Sequence, residues 1–364
     1  MKDVQIANWT TAGYMSHLYP ELRQLEVEPN IAELQAFGFT VLSPRQLRAG
    51  DLHERVLKAV ASVSARRARV APDFESGQSH RGMVHPLGQL MRFILWEDAV
   101  FEEVLLNPAM LGIVTYVLGP ACILSQCNAI LRGPGNNSIG LHTDEISRAL
   151  PLHCEESMTV NATYLLTDYT KEGGALGVIP GSHRWRRDPT PSDSKAFASH
   201  MIPVEAPAGS MVIWGDHLWH GAFPRMIPGL RGTFLFNFAR HHLQTQEPYR
   251  ETCTQEALDR NPRRFAVLMD QFASYPYREE DEDVILPVER NTYLSLFDRR
   301  QSNGYVRLLS KRARRSIPAS AQPTASPLGL AVRRRESADG AAPAEKAPLA
   351  ALASAESQGA RERP

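Results

Sequence analysis

The residues in this sequence best suited to chemistry are His142, Asp144, His220 and Arg231. His142-Thr143-Asp144 closes a Gly- and Asn-rich run, GPGNNSIGLHTD, which reads as a loop leading into a strand. Residues i and i+2 of a strand share a face, so an imidazole and a carboxylate can meet one metal there. In a chain with 12 histidines such a pair is a weak signal on its own. A third ligand stands downstream in GSMVIWGDHLWHGAF, where His220 follows His142 by 78 positions (220 − 142) on an apolar strand. Two histidines and one carboxylate leave coordination positions open for substrate and O2, a set that suits Fe(II). Arg231 follows His220 by 11 positions (231 − 220) and opens the apolar, aromatic strand RGTFLFNFAR. A guanidinium buried among such neighbours needs an anionic partner. Its planar fork fits a carboxylate. His217 is the rival third ligand, and Gly221 together with the spacing to Arg231 favours His220. His153, His241 and His242 have no competing spacing.

The order of these residues resembles the phytanoyl-CoA dioxygenase family of Fe(II)/2-oxoglutarate-dependent oxygenases. The likeness is carried by His142-Thr143-Asp144, by GGALGVIPGSH from Gly173 to His183, by GSMVIW from Gly209 to Trp214, by His220-Gly221 and by Arg231. It extends back through Gly38-Phe39-Thr40-Val41-Leu42 and covers roughly residues 30–245. The resemblance implies a double-stranded β-helix (a jelly roll, cupin-like), with His142, Asp144 and His220 binding Fe(II) and Arg231 pairing with the distal carboxylate of 2-oxoglutarate. It implies consumption of O2, release of succinate and CO2, and hydroxylation of a small molecule, with ascorbate as a candidate reductant. Related halogenases replace the carboxylate ligand with a small residue, so Asp144 favours oxygenation. One departure stands out. Several members carry a hydroxyl residue two positions after the distal histidine, where this chain has Ala222. Help in holding the cosubstrate must then come from elsewhere, and Asn128, Asn161 and Thr163 are candidates, being polar residues in apolar strands. Ordinary sheet hydrogen bonds are the plainer account of each. Desaturation, epoxidation, cyclisation and epimerisation share the same cofactors, and no motif separates them from hydroxylation. A cupin-like metal protein without 2-oxoglutarate is the other alternative, and Arg231 argues against it.

These residues need a scaffold, and the chain reads as α+β. Apolar residues at helical spacing run through IAELQAF, PRQLRAGDLHERVLKAVASVSARRARV and FEEVLLNPAMLGIVTYVLG, with FGFTVLSP as a short strand and turn. The middle turns to short β-branched and aromatic segments punctuated by Gly, Pro and Asn, as in a barrel or two-sheet sandwich. EALDRNPRRFAVLMDQFASY reads as one late helix. Helices outside a β core are therefore expected. After Tyr305 aromatics vanish, and from Lys311 the chain is rich in Ala, Pro, Ser and Arg, which reads as a disordered tail. The expected organisation is 1–29 as an N-terminal extension, 30–310 as the oxygenase domain and 311–364 as the tail. Arg132 and Glu145 flank the metal motif and read as surface salt-bridging residues. Trp214 and Trp219 read as core, His183 as a turn residue, and the segments around His80–His85 and after Asp144 as substrate loops.

Composition sets the outer limits. The 40 basic and 40 acidic side chains balance, which gives no reason to expect nucleic acid or an acidic membrane as partner. No run approaches the roughly 20 apolar residues of a membrane span. The start lacks the basic-then-apolar order of a signal peptide. Four cysteines without a C-x-x-C pair suit reduced thiols and a cytoplasmic location. The expected partner is a small-molecule substrate, and oligomeric state is left open.

Overall fold

A computed structural model describes residues 11–301, apart from 49, 82, 84–86, 136–137, 145–153 and 272–293, with 11–14 as backbone only. The expected tail at 311–364, and His85, Glu145 and His153, lie outside the described residues. All described residues belong to one unit, Met1–Ser316.

Helices come first: α1 (Thr11–Gln24), α2 (Glu28–Phe37), α3 (Pro44–Leu47), α4 (Leu52–Ala68), α5 (Ala99–Leu105) and α6 (Pro108–Leu118). Later helices are short: α7 (Pro191–Phe197), α8 (Tyr249–Thr252), α9 (Gln255–Arg260) and α10 (Arg263–Leu268). Three stretches expected as single helices are broken, each for a local reason. Arg48 takes a left-handed conformation, φ 50°, and ends α3. Asn107 cannot be helical before Pro108. Its side chain instead accepts from the N–H groups of Ala109 and Met110 and starts α6 afresh. Asn261, extended before Pro262, likewise ends α9, but α10 starts at Arg263 with no side-chain cap. Within the 1–29 segment, Leu18, Leu22 and Leu25 lie in the main hydrophobic core.

The described residues also hold ten strands: β1 (Phe39–Leu42) and β2 (Gln89–Met91) among the early helices, then β3 (Ile123–Arg132), β4 (Ile139–His142), β5 (Thr159–Leu165), β6 (Leu176–Val178), β7 (Ile202–Pro203), β8 (Met211–Gly215), β9 (His220–Ala222) and β10 (Arg231–Ala239). They form a six-stranded sheet, β1-β8-β5-β10-β3-β2, and a four-stranded sheet, β4-β9-β6-β7. Every pairing among them is antiparallel. This is the jelly roll that the resemblance implies, with helices packed on the larger sheet.

Strand β10 shows how the sequence divides the two faces. Phe234, Phe236 and Phe238 are fully buried in the helix-covered core, and Phe234 meets Phe101 of α5 with ring centroids 4.7 Å apart. Each such burial contributes roughly 1.5–3 kcal/mol. The alternate residues Arg231, Thr233, Leu235 and Asn237 line a cavity on the opposite face. Register sets their neighbours: Leu235 lies opposite Asn128 on β3 and Thr163 on β5, and Asn237 lies opposite Asn161.

The helical layer is tied together by Glu102 of α5, 3% exposed, which accepts from Arg260 Nε at 2.8 Å and Asn261 Nδ2 at 2.6 Å. Replacing it removes the shared acceptor, leaving Asn261 Nδ2 only the Ala257 carbonyl at 2.9 Å and Arg260 to solvent. Glu102→Ala should therefore lower unfolding free energy by about 2 kcal/mol in urea denaturation. An unchanged midpoint and slope would show that this junction carries no stability.

Candidate metal and cosubstrate site

Two of the three candidate ligands are aligned by strand pairing. Strands β4 and β9 run antiparallel with His142 directly opposite His220, and the ring centroids lie 4.2 Å apart. The pairing is tight where Gly221 passes the β4 backbone. A Cβ there would collide with the carbonyl oxygens of Ile139 and Gly140, so the residue after His220 must be glycine. Asp144 departs from the strand alternation expected for it. Strand β4 ends at His142, and Asp144 sits two residues beyond, fastened by its backbone N–H to the Asp216 carbonyl at 2.9 Å. The ligand atoms of His142, Asp144 and His220 nevertheless all lie within 4.8 Å of one another.

Protonation follows from the partners. His142 Nδ1 lies 2.9 Å from the Gly140 carbonyl oxygen, and His220 Nδ1 lies 2.9 Å from that of Leu218. A carbonyl only accepts, so each Nδ1 is the donor, which leaves Nε2 as the atom of each ring turned toward the cluster. Burial further lowers the His220 pKa, against the opposing pull of Asp144, which favours the neutral ring a metal requires. Asp144 Oδ2 accepts from Asn161 Nδ2 at 2.6 Å and from Trp214 Nε1 at 3.3 Å. Asn161 is itself oriented, because its Oδ1 accepts from Asn237 Nδ2 at 2.9 Å. A relay from Asn237 through Asn161 therefore fixes the carboxylate, as outer partners do at metal sites.

The cavity beside these groups holds about 480 Å³ and is lined by all three ligands and by Arg231, Asn128, Asn161 and Thr163. That volume falls within the roughly 300–1,000 Å³ of small-molecule sites. Arg231 is 9% exposed. It donates to the Gly174 carbonyl at 2.9 Å and to the Tyr169 hydroxyl at 2.8 Å, and it stacks over the Tyr169 ring at 4.7 Å. Among the described residues no carboxylate pairs with it. Arg132 lies opposite Arg231 in register and is fully buried, which corrects its expected surface position. Burial and the nearby Arg231 charge push its guanidinium down to about 10.

The remaining expectations sort by burial. Asn161 contacts Asp144 as described, whereas Asn128 and Thr163 reach the cavity wall with Oδ1 and Oγ1 buried and unpartnered. His217 is buried three residues before His220 but is not part of the cluster. His183 faces the Gln35 carbonyl at 3.2 Å, a turn role. His80 is buried against Gln89, Nε2 to Oε1 2.7 Å. Trp219 packs on Trp185 and Phe197 outside the cavity. Sequence reasoning missed Trp214 as an Asp144 partner, Tyr169 as the Arg231 partner, and Thr233 and Asn237 as cavity residues. The period-2 pattern from Arg231 along β10 was the available signal for the last two.

Known proteins resemble this chain in part. The family model for phytanoyl-CoA dioxygenase (PhyH) matches residues 41–232, which is 192 of 364 positions (232 − 41 + 1), and the chain belongs to that family. It is 35% identical over 124 residues to dioxygenase af480 of Aspergillus fumigatus, a match covering 34% of this chain and 39% of that protein. It is 31% identical over 130 residues to dioxygenase ALT11 of Alternaria alternata, covering 35% and 41%. The matches thus span about two fifths of these relatives. The crystal structure of HygX from Streptomyces hygroscopicus, with nickel and 2-oxoglutarate bound, superposes with a TM-score of 0.46 at 15% identity, covering 60% of this chain and 88% of that one.

The family implies iron and 2-oxoglutarate, and the residues present fit both. The donor set is two imidazoles and a carboxylate whose ligand atoms lie within 4.8 Å of one another. The dicarboxylate would meet a buried guanidinium that has no described anion, and two orphaned buried oxygens nearby. Asn161→Ala should weaken divalent metal binding by roughly 10–100-fold. Co(II) titration of the folded protein followed by absorbance would measure this. Wild-type affinity in that variant would remove the relay from any metal role.

Proposed function

We propose that this chain is a non-haem iron, 2-oxoglutarate-dependent dioxygenase that oxidises a small-molecule substrate, with hydroxylation as the expected outcome. The observation that carries the reading is the convergence of His142, Asp144 and His220 beside the buried, carboxylate-free Arg231 in one cavity. His142 Nε2, His220 Nε2 and the Asp144 carboxylate would hold Fe(II), and Arg231 would take the distal carboxylate of 2-oxoglutarate. The bound pair supplies O2 activation coupled to oxidative decarboxylation, which yields succinate and CO2. The protein's own work is orientation. Asn161 and Trp214 hold Oδ2 of Asp144 and restrict how the carboxylate turns. Tyr169 accepts from Arg231 and stacks on it, which holds the fork without neutralising its charge. Leu176, Val212, Leu235 and Ala222 form the apolar part of the wall beside these groups.

Arg231 also favours this reading over a metal protein without cosubstrate, since a buried cation without a carboxylate calls for an anionic ligand. Asp144 favours oxygenation over halogenation. A cytoplasmic site of action belongs to the same proposal. Consistent with reduced thiols, Cys122, Cys127, Cys154 and Cys253 are free. Among the described residues no single helix is long and apolar enough to cross a membrane.

Two outcomes test the proposal. His142→Ala, Asp144→Ala and His220→Ala should each abolish succinate formation while circular dichroism shows a folded protein. Full turnover in any one of them would take that residue out of the metal site. Arg231→Ala should raise the KM for 2-oxoglutarate by roughly 10–100-fold, from the loss of charge-assisted hydrogen bonds worth about 1.5–3 kcal/mol. A KM equal to wild type would place the cosubstrate elsewhere.

A further inference from the structure

Most of the cavity wall is accounted for by the metal and cosubstrate, but one side is not. Its exposed members are Arg92 and Gln246, with Leu87, Leu90, Gln126 and Ile130 half-buried beside them. Leu90 and Ile130 lie opposite each other in the β2–β3 register, so this wall is an extension of the six-stranded sheet. Arg92 follows β2 directly. Its guanidinium forms no ion pair with a carboxylate among the described residues, although it lines a cavity whose other exposed member is a neutral amide.

The backbone that aims Arg92 is held in a conformation it would not choose. Phe93 has φ 55°, a left-handed value that is strained for a bulky side chain, and its ring is 54% exposed. Three contacts enforce the turn. Phe93 N–H donates to Glu247 Oε1 at 2.8 Å, while Arg67 donates to the Arg92 carbonyl at 2.6 Å and is itself braced by Glu97. Glu247 is buried, 2% exposed, and its other oxygen accepts from Cys127 N–H at 3.2 Å and from the Tyr249 hydroxyl. A buried carboxylate and a strained residue are both costly, and together they present to the cavity a cation with no carboxylate partner among the described residues. Strain held this way marks functional positions.

We infer that Arg92 is the counter-ion of the substrate, and that the site takes an apolar small molecule bearing a carboxylate. The anionic end lies at Arg92 between the amides of Gln126 and Gln246, and the apolar body rests on Leu87, Leu90 and Ile130. The inference rests on the function proposed above and adds the substrate class to it.

The test uses the full chain loaded anaerobically with Fe(II) and 2-oxoglutarate, whose charge-transfer absorption reports the loaded site. Binding of decanoate is compared with decanol, and of phenylacetate with phenylethanol, by calorimetry. Wild type should prefer the carboxylate of at least one pair by roughly tenfold or more, as a charge-assisted contact provides. Arg92→Met should erase that preference without altering alcohol binding, and Arg92→Lys should retain part of it. The absorption should form equally in all three proteins and persist when the carboxylate is added. Equal affinity for acid and alcohol in wild type, or an undiminished preference in Arg92→Met, overturns the inference while leaving the cosubstrate reading intact. Loss of the absorption on adding the carboxylate also overturns it, since the probe would then be displacing 2-oxoglutarate. A wild type that never forms the absorption overturns the proposed function, and this inference with it.

Discussion

The site depends on where the Asp144 carboxylate sits. Its backbone follows β4, in the four-stranded sheet, beside His142 and close to His220 of β9. Its Oδ2 is held by Asn161 of β5 and Trp214 of β8, both in the six-stranded sheet. One carboxylate therefore joins the two layers of the jelly roll at the point where the imidazoles converge. A negative charge placed there is tolerable because two donors from one sheet and two imidazoles from the other surround it. Displacing either sheet would cost the carboxylate its partners, so the packing of the layers and the shape of the donor set are one constraint.

Much of this was legible in residue types and spacing. The three candidate ligands and Arg231 were identified from local motifs, because each motif combines a reactive side chain with a backbone requirement that is itself local. Gly221 illustrates this: it was read as part of a His-Gly signature, and the close pass of β4 supplies its physical reason. The helix-then-strand order was equally readable, since periodicity is a local property.

What was not legible depends on register between distant strands. Asn161 was one of three candidates for helping to hold the cosubstrate; it lines the cavity, and what spacing could not show is that β5 also sets its amide against Asp144 and opposite Asn237, a residue 76 positions away (237 − 161). Trp214 looked like core until β8 brought its indole N–H to the same carboxylate. Arg132 looked like a surface salt-bridging residue flanking the metal motif, but it lies opposite Arg231 across β3 and β10 and is fully buried. Helix breaks were missed where a single Pro or a left-handed residue overrode a good apolar pattern, as at Asn107-Pro108.

The strand order has a consequence for how the molecule comes together. Strand β1 pairs with β8, joining Phe39 to Trp214 across 175 positions (214 − 39), and β3 finds β10 across nearly 100, as Arg132 to Arg231 shows (231 − 132). Loops of this length are closed at an entropic cost before the contacts they enable are made, and topologies dominated by such pairings fold slowly. During synthesis the His142 segment leaves the ribosome well before His220, Trp214 and Arg231. A metal ion arriving early would find only a fragment of its donor set. The residues of the candidate centre thus come together late, once strands distant in the sequence have paired.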